Sequence, residues 1–185
     1  STVTSYEVTN IDKVAPDKPE VFASTTAPTN KNVTVNAEFS LDSIKQQYSL
    51  DNQNWYDYDS GIVFNRNGIV YFRGIDAVGN ISEVAEYQVS NIDKIAPSAP
   101  TAYADITALT NKPVTVSAVF SSDSSRKQYS FDGYTWSSYT SAVVMENNGS
   151  VYFRSYDAAG NISDITEYIV ENIDIEISSI DVPKH

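Results

Sequence analysis

The sequence repeats itself at a fixed offset of 81 residues with no insertion or deletion, so that Tyr6 to Glu86 lie directly over Tyr87 to Glu167, and 44 of those 81 aligned pairs are identical. The identities fall in blocks. Asn10-Ile11-Asp12-Lys13 returns as Asn91-Ile92-Asp93-Lys94, Val70-Tyr71-Phe72-Arg73 as Val151-Tyr152-Phe153-Arg154, and Gly79-Asn80-Ile81-Ser82 as Gly160-Asn161-Ile162-Ser163. A duplication this regular is the mark of an array of modules, each of which must build its own core.

The pattern opens a third time at Tyr168 and Asn172-Ile173-Asp174 and then departs into Ile175-Glu176-Ile177. Four segments follow: residues 1–12, expected to be the final strand of a preceding repeat with its linker; 13–93 and 94–174, the two repeats; and 175–185, a tail. Ser5-Tyr6-Glu7-Val8 matches Glu86-Tyr87-Gln88-Val89, which is why the first segment is expected to be a closing strand. A repeat of about 80 residues is large enough to bury a self-sufficient core.

Within each repeat the dominant period is two. Asn32 to Ser40 places Val33, Val35, Ala37 and Phe39 at alternate positions, and Val114, Val116, Ala118 and Phe120 do the same, as a strand with one buried face requires. Further strands are expected at Gln47–Leu50, Trp55–Tyr58, Ile62–Phe64, Ile69–Arg73 and Ala85–Val89, with turns at Asp51-Asn52, Asn65–Gly68 and Asp76–Asn80. About seven short strands at this spacing predict an all-β chain of two tandem immunoglobulin-like β-sandwiches. Trp55 and Trp136 are expected between the sheets, with an exposed aromatic platform as the alternative.

Composition narrows the function. With 24 acidic and 12 basic residues the formal charge is −12, so most of this surface repels a phosphate backbone and nucleic acid is not expected as a partner. No apolar run reaches the roughly 18 residues of a membrane span, so no membrane insertion is expected in this segment. There is no cysteine, and the single histidine is His185, so neither a Cys-His nor a Ser-His-Asp constellation can be assembled and no enzyme activity is expected. The acidic residues shared by both copies, Asp42/Asp123, Asp51/Asp132 and Asp76/Asp157, fall in predicted loops, where turn chemistry accounts for them.

The run Tyr48-Ser49-Leu50-Asp51, Trp55, Tyr58, Asn67-Gly68, Val70-Tyr71-Phe72-Arg73, Asp76-Ala77, Gly79-Asn80-Ile81-Ser82, then Ile92-Asp93-Lys94-Ile95-Ala96-Pro97, resembles the bacterial immunoglobulin-like (fibronectin-III-like) tandem repeats of large surface proteins and adhesins. Similar repeats are also appended to some secreted glycoside hydrolases. The resemblance implies an extracellular, cell-surface spacer or stalk, with neighbouring repeats and a host or cell-surface glycan or protein as partners. In such a sandwich the loop between the last two strands lies where the chain enters the domain. That would gather Asp12, Asp76 and Asn80 at one junction and Asp93, Asp157 and Asn161 at the other, a set of oxygen donors that suits Ca²⁺. Hairpin chemistry explains the same residues: Asp opening a turn accepts backbone N–H groups, and Gly and Asn tolerate positive φ. A second functional expectation is a carbohydrate-binding pair, in which Trp55, Tyr56, Tyr58, Tyr134, Trp136 and Tyr139 present rings to sugars. Pro16 and Pro19, repeated as Pro97 and Pro100, should make each linker semi-rigid.

Overall fold

The computed structural model describes residues 1–174, and the expected tail at 175–185 lies outside them. The chain forms two compact units, one of Ser1–Ala27 with Lys31–Ile92 and one of Pro28–Asn30 with the chain from Asp93 onward. Residues 1–19 carry no strand, and Tyr6 is exposed. Its counterpart Tyr87 pairs with Val70 in the sheet, whereas the segment that matches a closing strand joins neither sheet of the first unit.

The first unit holds seven strands: β1 (Glu20–Ala23), β2 (Val33–Glu38), β3 (Lys45–Ser49), β4 (Tyr56–Asp57), β5 (Ile62–Phe64), β6 (Gly68–Ile75) and β7 (Ala85–Val89). They form a three-stranded sheet in the order β1-β2-β5 and a four-stranded sheet in the order β4-β3-β6-β7, with every pairing antiparallel. The second unit repeats this arrangement with β8 (Thr101–Ala104), β9 (Val114–Val119), β10 (Arg126–Ser130), β11 (Ser137–Ser138), β12 (Val143–Met145), β13 (Gly149–Tyr156) and β14 (Thr166–Val170). Two antiparallel sheets with the short fourth strand hydrogen-bonded to the third make each unit an immunoglobulin-like sandwich of the fibronectin type III kind. The sequence pattern located every strand but β1 and its copy β8. Those four-residue strands show only weak alternation, Val21 and Ala23 facing in between Glu20 and Phe22.

The core follows the period-two pattern. Val33, Val35, Val70 and Phe72 are fully buried in the first unit, with Ala85, Val89 and Ile92 beside them; Val114, Val116, Val151 and Phe153 repeat the arrangement with Val143, Met145, Val170 and Ile173. Each such side chain contributes roughly 1.5–3 kcal/mol relative to exposure. Tyr58 closes the first core. Its ring meets Phe72 edge-on at 5.4 Å, and its hydroxyl accepts the backbone N–H of Ala37 at 3.1 Å. Tyr139 does the same against Phe153 and Ala118. Because strand-end N–H groups inside a core must find an acceptor, this hydroxyl is part of the packing and not an ornament on it.

Tyr58→Phe keeps the ring and leaves the Ala37 N–H without its acceptor. The expected loss is about 1–2 kcal/mol in a urea titration at unchanged m-value; no loss would show that the hydroxyl does not close the core.

Candidate functional site

The turn between β6 and β7 is built around one carboxylate. Asp76 Oδ1 accepts the N–H groups of Val78 at 3.0 Å, Gly79 at 2.7 Å and Asn80 at 2.7 Å, while Oδ2 accepts the Asn80 side-chain amide at 2.7 Å. Gly79 supplies φ +96°, and Gly160 supplies φ +92° at the same place in the second copy. A side chain on either residue would strain that left-handed backbone. The Asn80 Nδ2 also reaches the carbonyls of Asp12 at 3.4 Å and Val14 at 3.3 Å. Likewise Asn161 binds the Asp157 carboxylate at 2.7 Å and the Asp93 carbonyl at 3.0 Å. The structure therefore brings Asp12, Asp76 and Asn80 together in one unit, and Asp93, Asp157 and Asn161 in the other, beside the incoming linker.

What meets there is donor to acceptor. The Asp76 carboxylate accepts four N–H groups, and the Asn80 amide turns its NH₂ toward three oxygens, while Asp12 Oδ1 accepts the Val14 N–H at 2.9 Å. A Ca²⁺ ion takes 6 to 8 oxygen ligands, and here both oxygens of Asp76 and one of Asp12 already hold hydrogen bonds. Among the described residues no three His, Asp or Glu side chains cluster as a metal site. The residues as placed fit the hairpin chemistry and do not fit a calcium shell.

The same network sets the protonation of these groups. Burial disfavours the charged form of Asp76, but the side-chain and backbone donors of Asn80, with those of Val78 and Gly79, outweigh it and hold the carboxyl below its ordinary value. Asp157 is held down in the same way, against burial, by Asn161, Gly160 and Ala159. At the opposite hairpin, Asp51 is held far below its ordinary value, first by the Asn54 N–H and then by the Asn54 amide and the Gln53 N–H. Asp132 is lowered by the N–H groups of Thr135 and Tyr134 and by the Ser130 hydroxyl. All four carboxylates act as turn caps. Asn52 at φ +56° and Gly133 at φ +75° serve the same turn position in the two copies.

Asparagines brace the other end of each unit, a role that sequence reasoning missed. Asn91 Nδ2 donates to the carbonyls of Thr25 at 3.1 Å and Ala27 at 2.8 Å, and Asn67 exchanges two hydrogen bonds with the backbone of Ile92, at 3.0 and 2.8 Å. Asn172 holds Ile106 and Ala108, and Asn148 holds Ile173, in the same geometry. The only signal for this in the sequence is the identity of Asn67/Asn148 and Asn91/Asn172 in the two copies. Their partners are 25 and about 65 residues away, beyond what local pattern can show.

The tryptophans are not between the sheets. Both are half-buried and absent from the core clusters. Arg73 stands on the outer face of the four-stranded sheet, opposite in parity to the buried Val70 and Phe72, and its guanidinium lies 4.0 Å over the Trp55 ring while Nε donates to Gln47 Oε1 at 3.0 Å. Arg154 repeats this with Trp136 at 3.9 Å and Gln128 at 3.1 Å. Since each Trp immediately precedes or abuts a two-residue strand at the sheet edge, its ring folds back over the outer surface, where a guanidinium can flatten on it. Of the other rings considered for sugar contact, Tyr56 and Tyr134 are exposed, whereas Tyr58 and Tyr139 belong to the core. A crevice of about 320 Å³ beside β5 is lined by Leu50, Ile62, Phe64 and Asn67, and Arg66 is its only ionisable neighbour; it holds no acid–base pair.

No protein-family model matches the chain, and no curated protein matches it. Among solved structures, the fibronectin(III)-like modules of Clostridium thermocellum CbhA align over 89% of this chain and 100% of their own at 13% identity and a TM-score of 0.38. The mouse nectin-like molecule 4 ectodomain aligns over 84% of this chain and 64% of its own at 12% identity and a TM-score of 0.38. The human OSCAR ligand-binding domain aligns over 85% and 100% at 11% and 0.35. At these values the fold assignment stands on the strand order given above.

Two outcomes are expected of this site. Because the folded carboxyls titrate below their unfolded value of about 3.9, their stabilisation is complete above that value and is lost as pH falls through the lower folded value. The melting temperature should therefore hold from pH 7 to about 5 and drop below about 4, and Asp76→Ala should lower it at pH 7 and flatten the acid limb. Melting in millimolar Ca²⁺ and in excess chelator should give the same temperature; a rise of several degrees with Ca²⁺ would restore the metal.

Proposed function

We propose that this chain is a non-enzymatic structural segment of a bacterial cell-surface protein, in which tandem immunoglobulin-like modules act as a semi-rigid, extracellular stalk or spacer. The observation that carries this reading is the placement of the two asparagine braces within each unit. In the first, Asn80 ties the incoming linker at Asp12 and Val14 beside the start of β7, and Asn91 ties the outgoing chain just past the end of β7. In the second, Asn161 and Asn172 stand at the two ends of β14. A module whose chain is fastened at opposite ends of one strand suits transmission of tension along that strand.

Three further features support it. The scaffold is copied whole, with turn and brace residues among the identities. The carboxylates shared by both copies at Asp51/Asp132 and Asp76/Asp157 cap turns and are held ionised, which does not suit a general acid. Proline at 16, 19, 97 and 100 restricts the linkers. The surface location rests on the resemblance to bacterial surface repeats and belongs to the proposal.

Single-molecule pulling between the chain ends tests the reading. Two separate force peaks are expected, each releasing on the order of 290 Å of chain for a repeat of 81 residues at about 3.6 Å each. Extension without force peaks would remove the mechanical role.

A further inference from the structure

The two copies diverge where the outer sheet face bears its arginine. In the first unit that face carries Trp55, Arg73, Ile75 and Lys45; in the second the same positions carry Trp136, Arg154, Tyr156 and Arg126. The change turns a single stack into a ladder. Arg154 lies 3.9 Å over the Trp136 ring and 5.4 Å from the Tyr156 centroid, and Arg126 lies 3.8 Å from the centroid of the same tyrosine. Arg126 pairs across strands with Tyr156 and Gln128 with Arg154, so all of these side chains share one face of the sheet. In the first unit the equivalent Lys45 instead reaches Asp57 at 3.5 Å, and position 57 has become Ser138 in the second.

We infer that the outer face of the second unit's four-stranded sheet is a binding site for a carboxylated pyranose, such as a uronate or a sialic acid at the end of a glycan. Charge selects the ligand. In a chain of net charge −12, Arg126 and Arg154 have no carboxylate within salt-bridge distance among the described residues, and the copy has lost the aspartate that occupies the equivalent cation in the first unit. Stacking fixes Arg126 on the Tyr156 ring and Arg154 on the Trp136 ring, with Arg154 Nε spent on Gln128, and the remaining N–H groups of a planar fork so fixed can match a carboxylate bidentately. The neighbouring rings supply apolar faces for the pyranose. A neutral sugar would leave the fork without its acceptor. This inference does not depend on the spacer role and leaves it standing if it fails.

The duplication supplies its own controls. The 185-residue chain is titrated, by ¹⁵N-resolved NMR, with a hyaluronan hexasaccharide and with sialyllactose, and in parallel with the neutral counterparts chitohexaose and lactose. Shifts at Arg126, Arg154, Tyr156 and the Trp136 indole are expected with at least one acidic probe, absent with the neutral ones, and weakened by added salt. The double variant Arg126→Lys with Tyr156→Ile installs residues the same scaffold already carries at Lys45 and Ile75, and should weaken binding at least tenfold; Arg126→Gln alone, at an exposed position, should weaken it in the same direction. Lys45→Arg with Ile75→Tyr and Asp57→Ser, which also removes the carboxylate that pairs with Lys45, should confer binding on the first unit. No shift with either acidic probe, equal binding of neutral and acidic sugars, or binding untouched by the double variant would overturn the inference.

Discussion

A sandwich of short strands leaves many backbone groups at its two ends with no partner in either sheet, and burying or ordering those ends requires that they be satisfied. In this protein the task falls to side chains of Asp and Asn. One aspartate gathers three consecutive N–H groups at the β6–β7 turn, and three asparagines per repeat reach carbonyls that the sheets do not use. Among the described residues no buried side-chain nitrogen or oxygen lacks a hydrogen-bond partner. The turn with the incoming linker at one end, and the chain past the last strand at the other, are thereby two polar networks flanking an apolar core.

That network explains why the acidic residues shared by both copies look chemical in the sequence and behave structurally in the fold. A carboxylate surrounded by N–H donors is stabilised in its charged form, which removes it from general acid work and fills the lone pairs a divalent cation would need. The residues that suggest a calcium site by type are arranged here as hairpin donors and acceptors, with the Asn80 amide presenting its hydrogens to three oxygens. The arginine ladder of the second unit lies on the outer sheet face, apart from the asparagines that brace the chain ends.

Much of the architecture was legible in the sequence. The fixed offset gave the repeat, and strict alternation at Val33 to Phe39 and at Val70 and Phe72 gave the core faces, because a period of two leaves no choice of side. The pairing of the Asp76 turn with the linker was also foreseeable from the sandwich topology. Three things were not. The weak strand β1 lacks strong alternation; the asparagine braces depend on contacts across tens of residues; and Trp55 reads as core by its size, while its true partner, Arg73, is set by the parity of β6. Each was decided by tertiary geometry that local pattern does not encode.

The central claim is that six asparagine side chains, at 67, 80, 91, 148, 161 and 172, fasten the ends of the two units. Native-state hydrogen exchange of their side-chain amide protons tests it most directly. All six should exchange markedly more slowly than the exposed Asn52. Exchange of Asn80, Asn91 and their copies as fast as Asn52 would mean that the ends are not held in this way.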